Sequence, residues 1–201
     1  MKYKMNYALY VCDTETTGLN PFINDVIEIS FCRLSDNIQK TWKLKPINIE
    51  NIQLEALKIN GHKLEDLLYM TSYGKETYRE PTKVIIEIEN WIMKDSYPCE
   101  KRILIGQNVM FDKYMLENLW NKCEASDSFP FGRRYLDTMQ IQFFMDFCKE
   151  EFLDSYSLTS IIKKYGIKNS RAHTAEADTI ATKELFEKQV EYFKKNLDYN
   201  L

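Results

Sequence analysis

Two carboxylates that lie two residues apart follow the first apolar stretch of the sequence. Residues 11–18 read VCDTETTG, so Asp13 and Glu15 come directly after the apolar run YALYV. Side chains alternate along a strand, and residues i and i+2 therefore share a face. Two like charges held together cost free energy unless a cation lies between them, and hard carboxylate oxygens suit Mg²⁺ or Mn²⁺. The pair indicates a metal site, although an isolated D-x-E is also common in a polar turn that leaves a strand.

Three further side chains could take part in the same chemistry. Asp112 lies in GQNVMFDKYML, where a strand-like run passes into a helix, and an acid there is also favoured by the helix dipole alone. Asp178 lies in RAHTAEADTIAT, early in the last predicted helix, where apolar neighbours place it near the buried side and it needs a partner. Residues five apart on a helix point away from each other, so His173 and Asp178 could reach one site only if His173 precedes the helix. Thr174 is then the expected N-cap.

Length and composition are those of an ordinary globular domain. The chain has 201 residues, of which 44% are hydrophobic and 13% aromatic, and we expect one domain over residues 1–201. The 5 cysteines are widely spaced without any CxxC, which argues against a disulfide framework or a zinc site. A reducing cytoplasm is the default compartment. No stretch has the length of a membrane span or of a secretory signal, so no membrane partner is expected.

The charge balance of the chain is mildly acidic. A net charge of -3 argues against a protein that holds nucleic acid through a broad basic face, so any contact with phosphates must be local. Two divalent ions bound among four of the acids would outweigh this charge. A polyanionic substrate is therefore not excluded.

The elements that would position these residues fall into two groups along the chain. The first group consists of three strand-like runs at residues 7–12, 26–34 and 41–46, joined by short links that favour an antiparallel meander. The second consists of strand-then-helix units: RILIGQN at 102–108 feeds FDKYMLENLWNKC, and a short strand ending at Leu136 feeds DTMQIQFFMDFCK. Such units predict parallel strands with helices on the sheet faces, and hence a mixed α/β sheet.

Three more helices are predicted outside these units. NIQLEALKING at 51–61 predicts a short helix that ends at its glycine, and TKVIIEIENWIMK has apolar residues at helical spacing. The last helix is expected from about residue 175 to 195, and its inner face is expected to be formed by Ile180, Ala181, Leu185 and Val190. The polar link between the first two of these helices contains Tyr69, Tyr73 and Tyr78. These tyrosines could stack on bases, although a plain surface loop is favoured.

Taken in chain order, the motifs resemble the DEDDh (DnaQ-like) family of 3'-to-5' exonucleases. They are D-x-E after the first strand, N-x-x-x-D at a strand-to-helix junction and H-x-A-x-x-D opening the last helix, here Asp13 with Glu15, Asn108 with Asp112, and His173 with Asp178. The likeness extends to DTETTG, LEALKING, LDTMQI and YSLTSIIKKYGI, in the expected order over nearly the whole chain. The general likeness is to the proofreading epsilon subunit of DNA polymerase III, but ribonuclease T-type and oligoribonuclease-type members have the same motifs.

The resemblance implies a ribonuclease H-like α/β fold, with three antiparallel strands followed by strands parallel to the first. It also implies that four acids are the ligands of two divalent ions, Mg²⁺ or Mn²⁺: Asp13, Glu15, Asp112 and Asp178. Such ions, about 3.5 to 4 Å apart, stabilise the attacking and leaving oxygens in the in-line hydrolysis of a phosphodiester. His173 would be the general base, and Thr174 in place of a tyrosine favours the histidine subclass.

Substrate contacts follow from the same resemblance. The residues that match positions near the terminal nucleotide in relatives are Thr16, Asn60, Gly61, Asn108 and Phe111. Each is equally explained by packing or by turn formation. Many relatives have an apolar residue after that glycine, whereas this chain has His62, so a stacking role is not implied there; His62 is interpreted as structural or simply exposed.

The implied function is that of a metal-dependent exonuclease acting at the 3' ends of single-stranded nucleic acid, with DNA slightly favoured over RNA. Its product would be a nucleoside monophosphate, and the proofreading relatives imply a polymerase or replisome partner. The alternatives are a catalytically silent nucleic-acid-binding or polymerase-associated module, an RNA-specific exonuclease, and a metal-dependent phosphoesterase acting on a small nucleotide. The presence of all five predicted catalytic residues argues against the silent module.

Overall fold

A five-stranded mixed sheet with the strand order β3-β2-β1-β4-β5 forms the centre of the computed structural model, which describes residues 6–68, 77–124 and 128–197. The strands are β1 (Ala8–Thr16), β2 (Val26–Arg33), β3 (Ile38–Lys43), β4 (Arg102–Gly106) and β5 (Tyr135–Asp137). β2 is antiparallel to both β1 and β3, whereas β1, β4 and β5 run parallel. This confirms the predicted α/β class and the order of antiparallel and then parallel strands. Tyr69 and Tyr73 lie outside the described residues, whereas Tyr78 is buried, so its predicted place on a surface loop is wrong.

Seven α-helices of the described ranges flank the sheet. They are α1 (Leu54–Asn60), α2 (Leu64–Leu68), α3 (Pro81–Ile92), α4 (Val109–Cys123), α5 (Thr138–Lys149), α6 (Leu158–Lys164) and α7 (Ala175–Leu197). Alternate side chains of β1 enter two different cores, as a strand buried on both faces requires. Tyr10 packs in a cluster with Val84 of α3 and Leu116 of α4, whereas Val11 packs with Phe186 of α7. Within the described ranges, every helix is too short or too polar to cross a membrane.

The first strand is longer than its apolar run predicts. The sequence pattern ends the strand at residue 12, but β1 continues to Thr16. The extension pairs Asp13 with Ser30 and Glu15 with Glu28 of β2, a strand that is buried along its whole length. The buried backbone N–H and C=O groups of this extension need hydrogen-bond partners, and β2 provides them. The two acids therefore lie within a paired strand rather than after it.

The inner face of α7 matches expectation except at one position. Ala181 and Leu185 are buried and Val190 packs against a core cluster, as predicted. Ile180 is 40% exposed, so its predicted place on the inner face is wrong. Ala175, Thr179 and Thr182 are fully buried instead, and the hydroxyl of Thr179 donates to the carbonyl oxygen of Ser30 in β2 at 3.4 Å. Small side chains let the helix approach the sheet closely, and counting large apolar residues does not identify such a face.

Candidate active site

Asp13, Glu15 and Asp178 meet at the carboxyl end of β1. Each offers a carboxylate oxygen, and these oxygens all lie within 4.8 Å of one another. The alternation of β1 places the first two acids on the face that packs against α7, and Asp178 comes from the first turn of that helix. All three side chains are half-buried. We call these three residues the acid cluster; three carboxylates at this spacing are a donor set that fits a hard divalent cation.

Asp112 approaches the same end of the sheet from the first turn of α4 but is not a member of the acid cluster. Its carboxylate is buried, and Oδ1 accepts a hydrogen bond from the hydroxyl of Thr14 at 2.8 Å. Burial raises the pKa of Asp13 well above its ordinary value, and the charge of Asp112 is the next largest cause. Asp13 is thus influenced by a carboxylate on α4 as well as by its partners in the acid cluster.

Burial raises the pKa values of the acids at this end of the sheet, and neighbouring acids add to this for Asp13 and Glu15. Burial, followed by the charges of Asp178 and Glu28, raises the pKa of Glu15 to about 8. Burial raises the pKa of Asp112 to about 7, and hydrogen bonds from Thr14 offset only part of this. Burial also raises the pKa of Asp178. A bound cation would remove this repulsion, which is a further reason that the donor set fits a divalent metal ion.

His173 lies on the loop before α7, where the sequence analysis expects it. Its φ of 66° is in the left-handed region, which few residues other than glycine adopt. Its backbone N–H donates to Asp178 Oδ2 at 3.1 Å, and its side chain is exposed. The hydroxyl of Thr174 accepts a hydrogen bond from the N–H of Ala177 at 3.3 Å and so caps α7 as predicted. The loop thereby brings the histidine beside the acid.

The predicted substrate residues of β1 and α1 are joined to each other. The side-chain amide of Asn60 donates to the carbonyl oxygen of Thr16 at 3.1 Å. The Thr16 hydroxyl donates to the carbonyl oxygen of Gly18 at 2.7 Å. Gly61 ends α1 with a φ of 72°, and a Cβ there would meet nothing within 4 Å among the described atoms. These contacts hold α1 against the end of β1 and leave an open surface at the glycine. A role in substrate binding stays a prediction.

The two predicted substrate residues of α4 also have local structural roles. Asn108 is the N-cap residue of α4 with a φ of 57°, and its backbone N–H donates to Asp137 Oδ1 at 3.1 Å. Phe111 is half-buried and packs against the core cluster between the sheet and α3 and α4. Contacts of either side chain with a nucleotide remain predictions.

Asp137 is a residue of the site that the sequence analysis missed. Its buried carboxylate accepts hydrogen bonds from the N–H groups of Asn108 at 3.1 Å, Val109 at 3.2 Å and Met139 at 2.9 Å. One carboxylate therefore caps both α4 and α5 and fixes the loop that leads to Asp112. An aspartate directly before a predicted helix is a signal for the cap on α5, but nothing in the sequence indicates the contact with α4.

Glu28 is a second residue that the sequence analysis missed, and it lies opposite Glu15 in the sheet. Its Oε2 is 3.2 Å from Nε2 of His62 and 3.6 Å from Nζ of Lys43. Burial acts to raise the pKa of Glu28, but the hydrogen bond with His62 and the charge of Lys43 outweigh it, and the pKa is lowered. The other ring nitrogen of His62 is hydrogen-bonded to the hydroxyl of buried Tyr78. His62 is thus a buried structural histidine.

Curated relatives match nearly all of the chain. It is 26% identical over 190 residues to "DNA polymerase III PolC-type" of Thermotoga petrophila, which is 94% of this chain. The same identity holds over 185 residues, 92% of this chain, for the protein of that description from Thermotoga maritima. The chain spans only 12% of the length of either relative. No family model matches the sequence.

Solved structures of exonuclease I share the fold. E. coli exonuclease I in complex with a dT13 oligonucleotide has a TM-score of 0.72 and 18% identity, over 96% of this chain and 43% of that one. Exonuclease I of Methylocaldum szegediense has a TM-score of 0.69 and 19% identity, over 91% of this chain and 40% of that one. This fold, together with the sequence match to part of a polymerase III, confirms the resemblance of the chain to the DEDDh, ribonuclease H-like 3'-to-5' exonucleases.

Proposed function

We propose that residues 1–201 form one metal-dependent 3'-to-5' exonuclease domain that hydrolyses phosphodiester bonds at the 3' ends of single-stranded nucleic acid. The acid cluster carries this proposal, because its three carboxylates lie within 4.8 Å of one another. The oligonucleotide bound to the fold relative and the match to part of a DNA polymerase support a DNA strand end as the substrate. A slight preference for DNA over RNA is part of the proposal.

The proposed cofactors are two Mg²⁺ or Mn²⁺ ions held by the acid cluster and Asp112. When bound, such ions stabilise the attacking and leaving oxygens of an in-line displacement. The acid cluster offers one place for a cation, and Asp112 is the donor available for a second. Because the pKa values of Glu15 and Asp112 are raised to about 8 and about 7, both carboxyls are partly protonated near neutral pH. We expect ion binding to release these protons, so the apparent metal affinity should rise with pH.

His173 is proposed as the general base that takes a proton from the attacking water. Its side chain is exposed on the loop before α7, where both solvent and a substrate phosphate can reach the imidazole. Its backbone N–H is 3.1 Å from Asp178 Oδ2, so the residue lies beside the acid cluster. An imidazole can accept a proton near neutral pH, and such a base typically contributes about 10² to 10⁴ in rate.

A cavity of about 320 Å³ is the proposed place for the terminal nucleotide. Its volume lies in the range of small-ligand sites. Its lining includes Glu28, Lys43, Asn60, Gly61, His62 and Thr174. Gly61 leaves room for a base or sugar. We propose Thr16, Asn108 and Phe111 as further contacts with the strand end.

The test is incubation of the protein with 5'-labelled single-stranded DNA and RNA of equal sequence, with Mg²⁺ and with a chelator. We expect progressive shortening and release of nucleoside monophosphates that the chelator stops, with the DNA shortened somewhat faster. A circular single strand should survive. Rapid cutting of the circle would indicate an endonuclease, absence of cleavage would support the silent binding module, and strong preference for RNA would support the RNA-specific alternative.

The proposal also includes a protein partner and a cellular location for the enzyme. The match to a PolC-type polymerase supports a polymerase or replisome partner, although the chain spans 12% of that relative. We propose a cytoplasmic location for the same reason, since the polymerase relatives are bacterial and DNA synthesis in bacteria takes place in the cytoplasm. Co-elution of the chain with a replicative polymerase from its own source would test the first part. Separate elution at micromolar concentrations would contradict it.

A further inference from the structure

Asn169 contacts the acid cluster from the loop between α6 and α7. Its side-chain Nδ2 donates a hydrogen bond to Asp178 Oδ1. The other oxygen, Asp178 Oδ2, accepts the backbone N–H of His173 at 3.1 Å. Both oxygens of one carboxylate are therefore held by the loop that carries the proposed general base. Each carboxylate oxygen can accept two bonds, so each retains a lone pair for a cation.

The amide oxygen of Asn169, unlike its amide nitrogen, is not hydrogen-bonded to any described residue. This oxygen, Oδ1, is also buried. Buried acceptors are nearly always paired, because an unpaired one loses its hydration without compensation. Flipping the side-chain amide of Asn169 would not give a better arrangement, because its oxygen would then face the carboxylate of Asp178. Among the described residues, the hydrogen bond of the Asn169 side chain is therefore directed at Asp178 alone.

We propose that Asn169 is a positioning residue that fixes the carboxylate of Asp178 for metal binding and ties the His173 loop to the same carboxylate. This inference rests on the proposed function. Hydrogen bonds to a ligating carboxylate orient it, and losing such a bond typically costs about 10- to 100-fold in metal affinity or activity. Nothing about Asn169 was expected from the sequence, where it follows a lysine on a polar loop.

The test is calorimetric titration of Mn²⁺ into the metal-free protein and its variants at one pH. Asn169→Leu keeps the branched shape of the side chain and removes the donor, and Asn169→Ala removes both. Ser170→Ala is the matched control, because Ser170 is exposed on the same loop. We expect Mn²⁺ binding to weaken about 10- to 100-fold in both Asn169 variants and to stay unchanged in the control. The melting temperature of Asn169→Leu in chelator should remain close to that of the wild type.

Cleavage of a labelled strand at increasing Mn²⁺ concentrations is the second readout. The half-saturating Mn²⁺ concentration of the Asn169 variants should rise by the same factor as the dissociation constant, and saturating Mn²⁺ should restore most of the rate. Unchanged Mn²⁺ affinity in Asn169→Leu would overturn the proposal, with or without a lower melting temperature. Equal weakening in Ser170→Ala would overturn it as well, because the effect would then belong to the loop in general.

A further variant keeps the positioning role testable, and the wild type separates that role from the proposed exonuclease activity. If Asn169→Leu fails to fold, Asn169→Ser carries the test, since its shorter hydroxyl should weaken Mn²⁺ binding less than Asn169→Ala does. Equal affinities of the serine and alanine variants with the wild type would overturn the positioning role. A wild type that binds Mn²⁺ but shortens no strand would contradict the proposed exonuclease and would leave the Mn²⁺ titrations of Asn169 valid.

Discussion

Buried carboxylates lie at both ends of strand β4, and the two ends differ in how their charge is balanced. At its amino end, Asp95 forms an ion pair with Arg102 at 2.9 Å, and both side chains are 4% exposed. The hydroxyl of Tyr10 donates to the same carboxylate at 2.7 Å. Burial acts to raise the pKa of Asp95, but the hydrogen bonds from Arg102 and Tyr10 outweigh it and lower the pKa.

At the carboxyl end, the acids are held by neutral donors instead of cations. Thr14 donates to Asp112, and Asn169 and the backbone N–H of His173 donate to Asp178. The pKa values of these acids are raised, chiefly by burial. A carboxylate that stabilises the fold is thus neutralised by a neighbouring arginine, whereas the acids of the proposed active site have no such partner and are neutralised by protons or by an added cation.

Removal of an acid at the carboxyl end should have the largest effect. Asp13→Ala, Asp112→Ala and Asp178→Ala should each lower Mg²⁺-dependent cleavage by about 10³-fold or more, because charge stabilisation by the ions is worth several kcal/mol. The same variants should melt at a higher temperature in chelator, since repulsion between like charges is lost. Cleavage assays and thermal melts of each variant provide the measurements. Near-normal cleavage by any of the three would contradict the metal site.

The next largest effect separates the histidine from the acids around it. His173→Ala should lower the cleavage rate by about 10² to 10⁴ and leave Mn²⁺ binding intact. Part of the loss should return as the pH rises, because hydroxide becomes more abundant. A pH-rate profile and a titration of single-stranded DNA in Ca²⁺, which should occupy the acids while supporting little hydrolysis, provide the measurements. If His173→Ala lost metal-dependent binding as severely as Asp112→Ala, the general-base role would be wrong.

At the amino end of β4, replacing an acid by alanine should destabilise the fold, whereas at the carboxyl end it should raise the melting temperature. Asp95→Ala leaves Arg102 buried without its partner and should lower the free energy of unfolding by about 3 to 5 kcal/mol. Cleavage per folded molecule should be unchanged. Urea denaturation in chelator measures the loss, and combining Asp95→Ala with Arg102→Met, which removes the unpaired charge, should recover much of it. Equal stability of Asp95→Ala and wild type would remove the contrast between the two ends.

The smallest effect is the pH dependence of stability without metal. Acids with raised folded-state pKa values stabilise the fold most below their unfolded pKa of about 4. That stability is lost as the pH rises through the folded values, about 7 for Asp112 and about 8 for Glu15. The melting temperature in chelator should therefore fall between about pH 5 and pH 8, by roughly 2 to 4 °C for each 1 kcal/mol lost.

Added Mn²⁺ and measurements at low pH provide the controls for this pH dependence. Saturating Mn²⁺ should abolish most of the fall, because the ions neutralise the ionised carboxylates. Asp95 has a lowered pKa, so its stabilisation is present above about pH 4 and should be lost as the pH decreases further. A melting temperature that rises from pH 5 to pH 8 in chelator would contradict the raised pKa values of the carboxyl-end acids.

The sequence by itself determined the features that depend on local backbone geometry. Side-chain alternation places Asp13 and Glu15 on one face of a strand, and the rotation of about 100° per residue requires His173 to precede the helix that carries Asp178. Short links and strand-then-helix units predicted the mixed sheet, because chain connectivity limits which strands can run parallel. The motif order was enough to indicate the family resemblance.

Tertiary structure alone decided the features that need a partner distant in sequence. Pairing with β2 extends β1 past its apolar run, and close approach to β2 buries Thr179 while Ile180 remains exposed. The positions of α4 and α7 over the sheet decided that Asp178 joins the acid cluster whereas Asp112 is held by Thr14. These contacts depend on distances between separate elements, which residue spacing along the chain does not encode.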